Sequence, residues 1–209
     1  MIEDYPEAYR ELCDRLGFDR GIPFTEKWSA GADFLQILVD QVRERKPQRI
    51  LECSSGLTTL FMARACQLAG TGRVTSLENG PAFAQATRVA LEGYGLEAWA
   101  EVLDAPLVET PLGDQCWQWY DLAALEAGAI DMLVIDGPPG FLQPLSRYPA
   151  LPRLADCLAP GALILLDDAA RPDEKAIVAR WIAEYPGIER RWRATERGCV
   201  ELRWPAQRP

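Results

Sequence analysis

The stretch Arg49–Thr59, RILECSSGLTT, predicts a buried strand that runs through a tight turn into a helix. Its strand is a short apolar run, Ile50–Leu51, that ends at an acid, Glu52. Thr58 and Thr59 are residue types that favour the start of a helix. In an open parallel sheet such a turn binds nucleotide-like ligands, because free amide groups and the helix dipole meet there. The same residues also fit a turn with a structural role only.

Helix and strand patterns alternate on both sides of this stretch. Apolar periodicity and stop signals predict helices over residues 4–16, 30–45, 58–69, 81–93, 147–158 and 171–185. Strands are predicted over residues 49–52, 73–78, 98–103, 130–135, 162–166, 188–195 and 199–204. Two helices are thus followed by five strand-helix units and an antiparallel hairpin. This order predicts an α/β fold with a doubly wound, mostly parallel, seven-stranded sheet.

Length and composition fit one globular domain. The 209 residues are 48% hydrophobic and 25% charged, which is ordinary for a folded protein. We expect a single domain over 1–209, with a helical lead-in over 1–46 and an α/β core over 47–209. The segment 114–127, between the third and fourth predicted strands, is rich in Trp and Leu.

The net charge of −9 argues against nucleic acid as a partner, because binding to a phosphate backbone rests on clustered Lys and Arg. The richest cationic run, residues 190–193, alternates with apolar residues and is interpreted as the solvent-exposed side of a strand. No apolar run approaches the length of a membrane span, so no membrane partner is expected.

Six cysteines lack any CxxC spacing, which suggests neither a zinc site nor a disulfide framework. The acidic, amphipathic N-terminal stretch does not resemble a signal peptide. We therefore expect a cytoplasmic protein. The oligomeric state is left open, a homodimer included. Histidine is absent, which excludes an imidazole base and a Ser/His/Asp triad.

Acids stand at the predicted carboxyl end of every parallel strand. They are Glu52, Glu78, Asp104, Asp136 and the pair Asp167 and Asp168. Because these strand ends share one edge of the sheet, we expect the acids to lie near one another. Glu78 follows the first turn by roughly 20 residues, the spacing at which an acid accepts hydrogen bonds from a ribose.

These motifs in register resemble the class I S-adenosylmethionine-dependent methyltransferases from Trp28 to the closing hairpin. ILECSSGLTT resembles the first motif of that superfamily, VTSLE its ribose-binding strand, LDAP its adenine-contacting turn and VIDGPPG its fourth-strand motif. WSAGADFLQILVDQV and LILLDDAARPDE look most like a small bacterial group related to catechol O-methyltransferase. The resemblance implies a Rossmann-like methyltransferase fold.

The resemblance also implies roles for single residues toward S-adenosylmethionine. Glu52 would order the first turn and face the methionine part, and Glu78, followed by Asn79, would bind the ribose. The remaining cofactor-binding residues implied are Ser54, Ser55, Gly56, Asp104, Ala105 and Asp136, with Asp104 and Ala105 at the adenine. The family usually has glycine where this chain has Ser54, and glycine allows a positive φ.

The related catechol enzymes bind a divalent ion, and Asp136, Asp167 and Asp168 fall on the positions of its ligands. Three oxygen donors suit Mg²⁺ or Ca²⁺, which would hold and acidify an acceptor hydroxyl. The alternative is that these acids only cap a helix and begin a turn. Asp136 is the candidate catalytic residue. Pro139 stands where the family carries a lysine base, so either the base would be a carboxylate, a tyrosine or a metal-bound hydroxide, or the acceptor would already be ionised.

Residues that would surround a methyl acceptor include Trp28, the segment 141–147, and the aromatic cluster of Trp117, Trp119 and Tyr120. For the aromatic residues a role in the core is favoured, since Trp is mostly buried for packing reasons. Lys27 is interpreted as a solvated side chain rather than a base.

The sequence thus predicts an S-adenosylmethionine-dependent methyltransferase acting on a small molecule, at oxygen. Two alternatives stay open. A nicotinamide-dependent oxidoreductase is disfavoured because the first turn lacks GxGxxG. A noncatalytic binding protein with the same fold would account for Ser54 and Pro139.

Overall fold

A computed structural model of the protein describes residues 5–206 and shows a seven-stranded sheet with helices on both faces. The helices are α1 (Glu7–Leu16), α2 (Ala32–Arg45), α3 (Leu57–Ala69), α4 (Pro81–Gly93), α5 (Ala150–Leu154) and α6 (Pro172–Glu184). The strands are β1 (Arg49–Cys53), β2 (Arg73–Glu78), β3 (Ala100–Asp104), β4 (Leu107–Leu112), β5 (Gln115–Tyr120), β6 (Ile130–Ile135), β7 (Leu158–Leu166), β8 (Glu189–Arg193) and β9 (Cys199–Arg203).

The strands of the main sheet follow the order β3-β2-β1-β6-β7-β9-β8. Strands β3, β2, β1, β6 and β7 are parallel, whereas β9 runs antiparallel to β7 and β8 antiparallel to β9. The chain moves outward from β1 to β3 and then returns to place β6 beside β1. This reversal opens a crevice at the carboxyl ends of β1 and β6, where open α/β sheets bind ligands.

Each face of the sheet packs against its own hydrophobic core. In β6 the alternation of side chains sends Met132 and Val134 into the core formed with α1–α4, and Leu133 and Ile135 into the opposite core. The second core also holds Trp181 of α6. A strand buried on both faces must be apolar at nearly every position, which explains the sequence IDMLVI.

The predicted α/β fold, with its mostly parallel seven-stranded sheet and its closing hairpin, is confirmed. The predicted bounds of β2, α4 and β6 coincide with the observed ones. Helix α2 begins two residues later than predicted and buries its predicted apolar face. The cationic run of β8 faces solvent, as expected.

The prediction of a helix after every parallel strand was wrong at β3. That strand is followed instead by a separate antiparallel pair, β4 and β5, in which Val108 pairs with Trp119 and Thr110 with Trp117. Pro106 and Pro111 obscured the strand pattern, because proline demotes a strand in sequence-based reasoning. The indole rings of Trp117 and Trp119 are buried in the second core, which confirms their role in packing.

The helix predicted over 147–158 is also shorter than expected. Helix α5 covers only Ala150–Leu154, and a 3₁₀ turn over Ala155–Cys157 leads directly into β7. Strand β7 begins at Leu158 rather than 162, so the segment Pro160–Gly161 lies inside the strand. A register shift between β6 and β7 at this point accommodates it, as a bulge does at the start of a strand.

The lead-in helix begins at Glu7, after Pro6, and the part of its prediction that falls on residue 4 lies outside the described residues. Within residues 5–206, no helix is both long enough and apolar enough to cross a membrane. All six cysteines are free thiols.

The lead-in and the turn of the closing hairpin contact each other directly. Asp33 accepts a hydrogen bond of 2.6 Å from the backbone N–H of Glu196. Arg197 donates one of 3.1 Å to the backbone carbonyl of Ser29. The loop that precedes α2 is therefore held by the turn between β8 and β9.

The turn between β1 and α3 forces a serine into a conformation that suits glycine. Ser54 has φ of 136° and Gly56 has φ of 139°. Residue 56, and not Thr58 or Thr59 as predicted, is the N-cap of α3. A side chain at a φ near 136° clashes with its own backbone, so Ser54 carries strain.

Glu52 joins β1, β2 and α3 from a fully buried position. Its carboxyl group accepts hydrogen bonds from Ser76 of β2 at 2.6 Å, from Thr59 of α3 at 2.6 Å, and from Thr58. Burial raises the pKa of Glu52 to about 7, although these hydroxyl donors lower it. The two threonines thus bind the acid that precedes them, and Thr59 also accepts a hydrogen bond of 3.2 Å from the backbone N–H of Gly56, the N-cap residue.

We predict that Glu52→Gln changes how stability depends on pH. The folded protein holds a proton on Glu52 up to about pH 7, whereas the unfolded chain releases it near the ordinary value of 4.5. The wild type therefore loses stability as pH rises between these values, by about 2 kcal/mol between pH 5 and pH 8. The glutamine variant should lack this loss. Urea denaturation at both pH values measures the difference, and an equal slope in the two proteins would refute the prediction.

We further predict that Ser54→Gly stabilises the protein. Glycine relieves the strain at φ of 136°, but it also raises the conformational entropy of the unfolded chain. The net increase in the free energy of unfolding is about 1 kcal/mol. Ser55→Gly is the matched control, because Ser55 has no positive φ and donates a hydrogen bond of 2.8 Å to Glu78. Urea denaturation should show opposite signs for the two variants, and a loss of stability in Ser54→Gly would contradict the strain.

Candidate functional site

A cavity of about 730 Å³ lies at the carboxyl edge of the parallel strands. Its lining comes from the segments that follow β1, β2, β6 and β7, and from the loop before α2. This volume falls within the range of roughly 300–1,000 Å³ that is typical of pockets for small molecules and cofactors. The cavity therefore occupies the position and has the size expected for a ligand site.

Glu78 lines the cavity at the end of β2. One carboxylate oxygen accepts a hydrogen bond of 2.8 Å from the backbone N–H of Gly80, and the other accepts one of 2.8 Å from Ser55. Burial raises the pKa of Glu78, although these donors lower it. The backbone N–H groups of Ser55 and Asn79 also act on this carboxylate and lower its pKa. An acceptor that borders the cavity at the end of β2 suits the hydroxyl groups of a ribose.

Of the other residues expected at the cofactor, Ser54, Ser55, Asn79 and Asp136 also line the cavity. Glu52 lies behind the turn, with its carboxyl group turned to three hydroxyl groups of the protein. It supports the turn from below.

The predicted adenine contacts lie away from this lining. Asp104 is exposed and pairs with Arg88 at 2.9 Å, and Ala105 is buried beneath the edge, where its N–H donates to the carbonyl of Glu78. Gly56 contributes to the turn as the N-cap of α3, with its N–H directed to Thr59.

Asp136, Asp167 and Asp168 lie together at the ends of β6 and β7, as the sequence predicted. One carboxylate oxygen from each falls within 4.8 Å of the other two. Asp136 and Asp168 line the cavity, whereas Asp167 is buried behind them. The register that places Ile135 beside Leu166 brings these acids together.

A buried arginine binds this group of acids. Arg147 follows the loop after β6, and its Nη2 atom donates to Asp168 at 2.9 Å and to the carbonyl of Asp136 at 2.8 Å. The same atom lies 3.4 Å from the Asp136 carboxylate, and Nη1 donates to the carbonyl of Asp167 at 3.0 Å. Although burial alone would lower the pKa of Arg147, the surrounding carboxylates raise it, so the guanidinium stays charged.

The carboxyl groups respond to burial and to each other. Burial raises the pKa of Asp136 to about 7, with Arg147 acting to lower it and Asp168 to raise it further. Burial, together with the charges of Asp136 and Asp168, also raises the pKa of Asp167 well above its ordinary value. One side of the cavity floor thus holds acids that are partly neutralised by protons and partly by Arg147.

The group does not fit the divalent ion that the family resemblance implies. The separation of the three acids would suit such an ion, but the Asp136 and Asp168 carboxylates both contact Arg147. Asp168 also pairs with Arg171 at 2.9 Å. A divalent ion in this group would stand beside the positive charge of Arg147 in a buried position, where repulsion between cations is strong.

Three aromatic side chains form an exposed rim around the cavity. Trp28, Phe83 and Phe141 are each about half exposed or more, at 54%, 47% and 75%. The Trp28 ring lies 6.5 Å from Phe83 and 6.0 Å from Phe141, centroid to centroid. Apolar side chains left exposed in one patch mark a binding surface more often than scattered single residues do. Lys27 is exposed at the same edge, as expected.

Sequence reasoning missed Phe83 and the role of Arg147. Phe83 lies in the first turn of α4, five residues after Glu78, and that spacing was a signal for a second residue at the cavity. Arg147 was assigned only to the start of a helix and to the acceptor surroundings. Its contacts with Asp136 and Asp168 depend on how two strand ends meet, which no local pattern reveals.

Comparison with known proteins agrees with this geometry. The family described as "Methyltransferase domain" matches residues 51–169, more than half of the chain. No curated protein matches the chain.

Several solved structures share the fold at low sequence identity. The O-methyltransferase of Bacillus cereus, solved in complex with SAH, has a TM-score of 0.66 and 18% identity, covering 96% of this chain and 91% of its own. The SAH-bound methyltransferase PaMTH1 of Podospora anserina has a TM-score of 0.65 and 20% identity, covering 96% and 88%. TomG of Streptomyces achromogenes is an O-methyltransferase involved in tomaymycin synthesis and was solved with SAM. It has a TM-score of 0.61 and 17% identity, covering 97% of this chain and 91% of its own.

At these identities the structural likeness establishes the fold, and the family match establishes the family. The strand motifs, the cavity lined by Glu78 and the family match over residues 51–169 agree with one another. The chain belongs to the methyltransferase-domain family of class I, S-adenosylmethionine-dependent methyltransferases.

Proposed function

We propose that this methyltransferase transfers the methyl group of S-adenosylmethionine to a hydroxyl oxygen of a small molecule. The observation that carries the proposal is the cavity of about 730 Å³, which joins Glu78 at one side to Asp136 and the aromatic rim at the other. The Bacillus cereus and Streptomyces achromogenes proteins are O-methyltransferases, which supports the choice of oxygen.

In this proposal the cofactor lies against the turn after β1 and the end of β2. Ser54, Ser55 and Asn79 line its path, and Glu78 accepts from the ribose hydroxyls. Glu52 acts beneath the turn by fixing its position through Thr58 and Ser76. Methyl transfer is an in-line displacement, so holding donor and acceptor in position supplies much of the rate.

The acceptor lies between the aromatic rim and Asp136. Trp28 and Phe141 offer apolar surface to the body of the acceptor. Asp136 is the carboxylate of the acid group that borders the cavity at the end of β6, and we assign it the role of receiving the hydroxyl proton. Pro139 leaves the position of the family lysine without a base. A small molecule with an apolar or aromatic body and a hydroxyl group fits this surface.

We predict that the protein binds S-adenosylhomocysteine (SAH) and that Glu78→Gln weakens this binding about ten- to hundredfold. The variant removes the charge from hydrogen bonds to the ribose, and such bonds are worth about 1.5–3 kcal/mol. Isothermal titration calorimetry measures both affinities.

Glu101→Gln on the neighbouring strand β3 is the matched control, since Glu101 pairs with Arg73 and Thr75 away from the cavity lining. It should bind SAH as tightly as the wild type. Failure of the wild type to bind either SAH or S-adenosylmethionine would leave the noncatalytic alternative. Binding of NAD in their place would restore the oxidoreductase alternative.

We also predict that Asp136→Asn lowers methyl transfer about a hundredfold or more, the usual contribution of a proton acceptor. The measurement is transfer of labelled methyl groups from S-adenosylmethionine to a panel of hydroxylated aromatic compounds. Asp114→Asn, in the exposed turn between β4 and β5, is the control and should keep full activity. Full activity of Asp136→Asn with an accepted compound would remove Asp136 from this role.

A further inference from the structure

Arg147 occupies the centre of the acid group at the ends of β6 and β7. We propose that the Arg147 guanidinium serves as the built-in cation of this site, so that the protein works without a divalent metal ion. This inference rests on the proposed function only for its catalytic meaning. The contacts and charges that support it are those of Arg147 and the surrounding acids, and they do not depend on the proposed reaction.

The first support is the position of one nitrogen atom. Arg147 Nη2 lies 2.9 Å from a carboxylate oxygen of Asp168 and 3.4 Å from one of Asp136. The other Asp168 oxygen lies 2.9 Å from Nη2 of Arg171, so an ion that bridged Asp136 and Asp168 would meet the positive charge of one arginine or the other. The nitrogen also binds the carbonyl of Asp136 at 2.8 Å, which ties it to the end of β6 as well as to the side chains.

The second support is the charge in a buried environment. The Arg147 side chain is only 3% exposed, and Asp168 and Glu174 are 5% and 3% exposed. Glu174 adds a fourth acid, 3.9 Å from Arg147 Nε. Buried charges are stable only when paired, and removing one partner leaves the others uncompensated. Arg147 is therefore required by the acids around it.

The third support is that the backbone around Arg147 is fixed on both sides. Ser146 donates a hydrogen bond of 3.1 Å to the carbonyl of Pro139. The indole of Trp181 in α6 donates one of 2.9 Å to the carbonyl of Tyr148, and the Tyr148 hydroxyl binds Glu184. Since the residues on either side are anchored, an incoming ion would not displace the guanidinium by a simple movement of the loop.

This arrangement changes what the acceptor has to provide. A divalent ion binds an acceptor most firmly through two neighbouring oxygen atoms, whereas an arginine that is already bound to carboxylates makes no such demand. The acceptor side of the cavity then requires one hydroxyl near Asp136 and an apolar body against the aromatic rim. Compounds with a single hydroxyl group therefore belong to the expected acceptor class.

The test compares divalent-ion binding in the wild type, Arg147→Gln and Arg153→Gln. Arg153 is an exposed arginine of α5 and serves as the matched control. Mg²⁺ and Ca²⁺ are titrated by calorimetry, and melting temperatures are measured with each ion and with EDTA. The wild type and Arg153→Gln should show no saturable binding and no shift in melting temperature. Arg147→Gln should melt at a lower temperature and recover several degrees when either ion is added.

Two further variants make the outcome decisive. Adding Asp168→Asn to Arg147→Gln should abolish the recovery, which places the ion among the acids. Arg147→Lys keeps the positive charge and should stay as unresponsive to ions as the wild type. It tests the inference if Arg147→Gln does not fold. Saturable ion binding by the wild type that is lost in Asp168→Asn would overturn the inference. So would an ion response in Arg147→Lys, or a folded Arg147→Gln without one.

SAH titrations separate this inference from the proposed function. The affinity of the wild type for SAH should be equal in EDTA and in Mg²⁺, and an affinity that requires the ion would overturn the inference. A wild type that binds no SAH under either condition would refute the proposed function, while the ion titrations would still decide the role of Arg147.

Discussion

Like charges that meet at one edge of a parallel sheet are the constraint on which this structure depends. Strands β1, β2, β6 and β7 all end at this edge, and each is followed or terminated by a carboxylic acid. Burial of such groups is costly unless each acid is protonated, hydrogen-bonded or paired. The turns beyond the strands are arranged to meet that requirement, and the ligand cavity lies among them.

The protein stabilises these acids in three different ways. Glu52 receives three hydroxyl groups and a raised pKa, which makes it a structural link between strands. Asp136 and Asp168 share the guanidinium of Arg147. Glu78 accepts hydrogen bonds from the backbone N–H of Gly80 and from Ser55 while it borders the cavity. The division explains why acids with similar positions in the sequence differ in function, since Glu52 is enclosed by the protein whereas Glu78 and Asp136 border the cavity.

The sequence pattern predicted those helices and strands whose bounds are set by neighbouring residues. The bounds of β2, α4 and β6 followed from apolar runs and from a proline at the start of the helix, and the spacing of Glu78 followed from the topology. The β4–β5 pair was not predicted because prolines interrupt the alternation of apolar and polar residues, and because tryptophan packing, rather than strand propensity, stabilises the pair. Arg147 escaped because its partners lie 11 and 21 residues away and meet it only through the register of two strands.

The hydrogen bond between Arg197 and Ser29 has a consequence for how the protein folds. It spans 168 residues, so the loop that carries Trp28 gains part of its support from a turn far along the chain, in addition to the nearby hydrogen bond from Tyr9 to the carbonyl of Ala30. Contacts between distant parts of a chain form late and slow the folding of a domain. The aromatic rim of the cavity therefore depends on a contact between two distant parts of the chain, and its Trp28 side is fully supported only when the β8–β9 hairpin has docked.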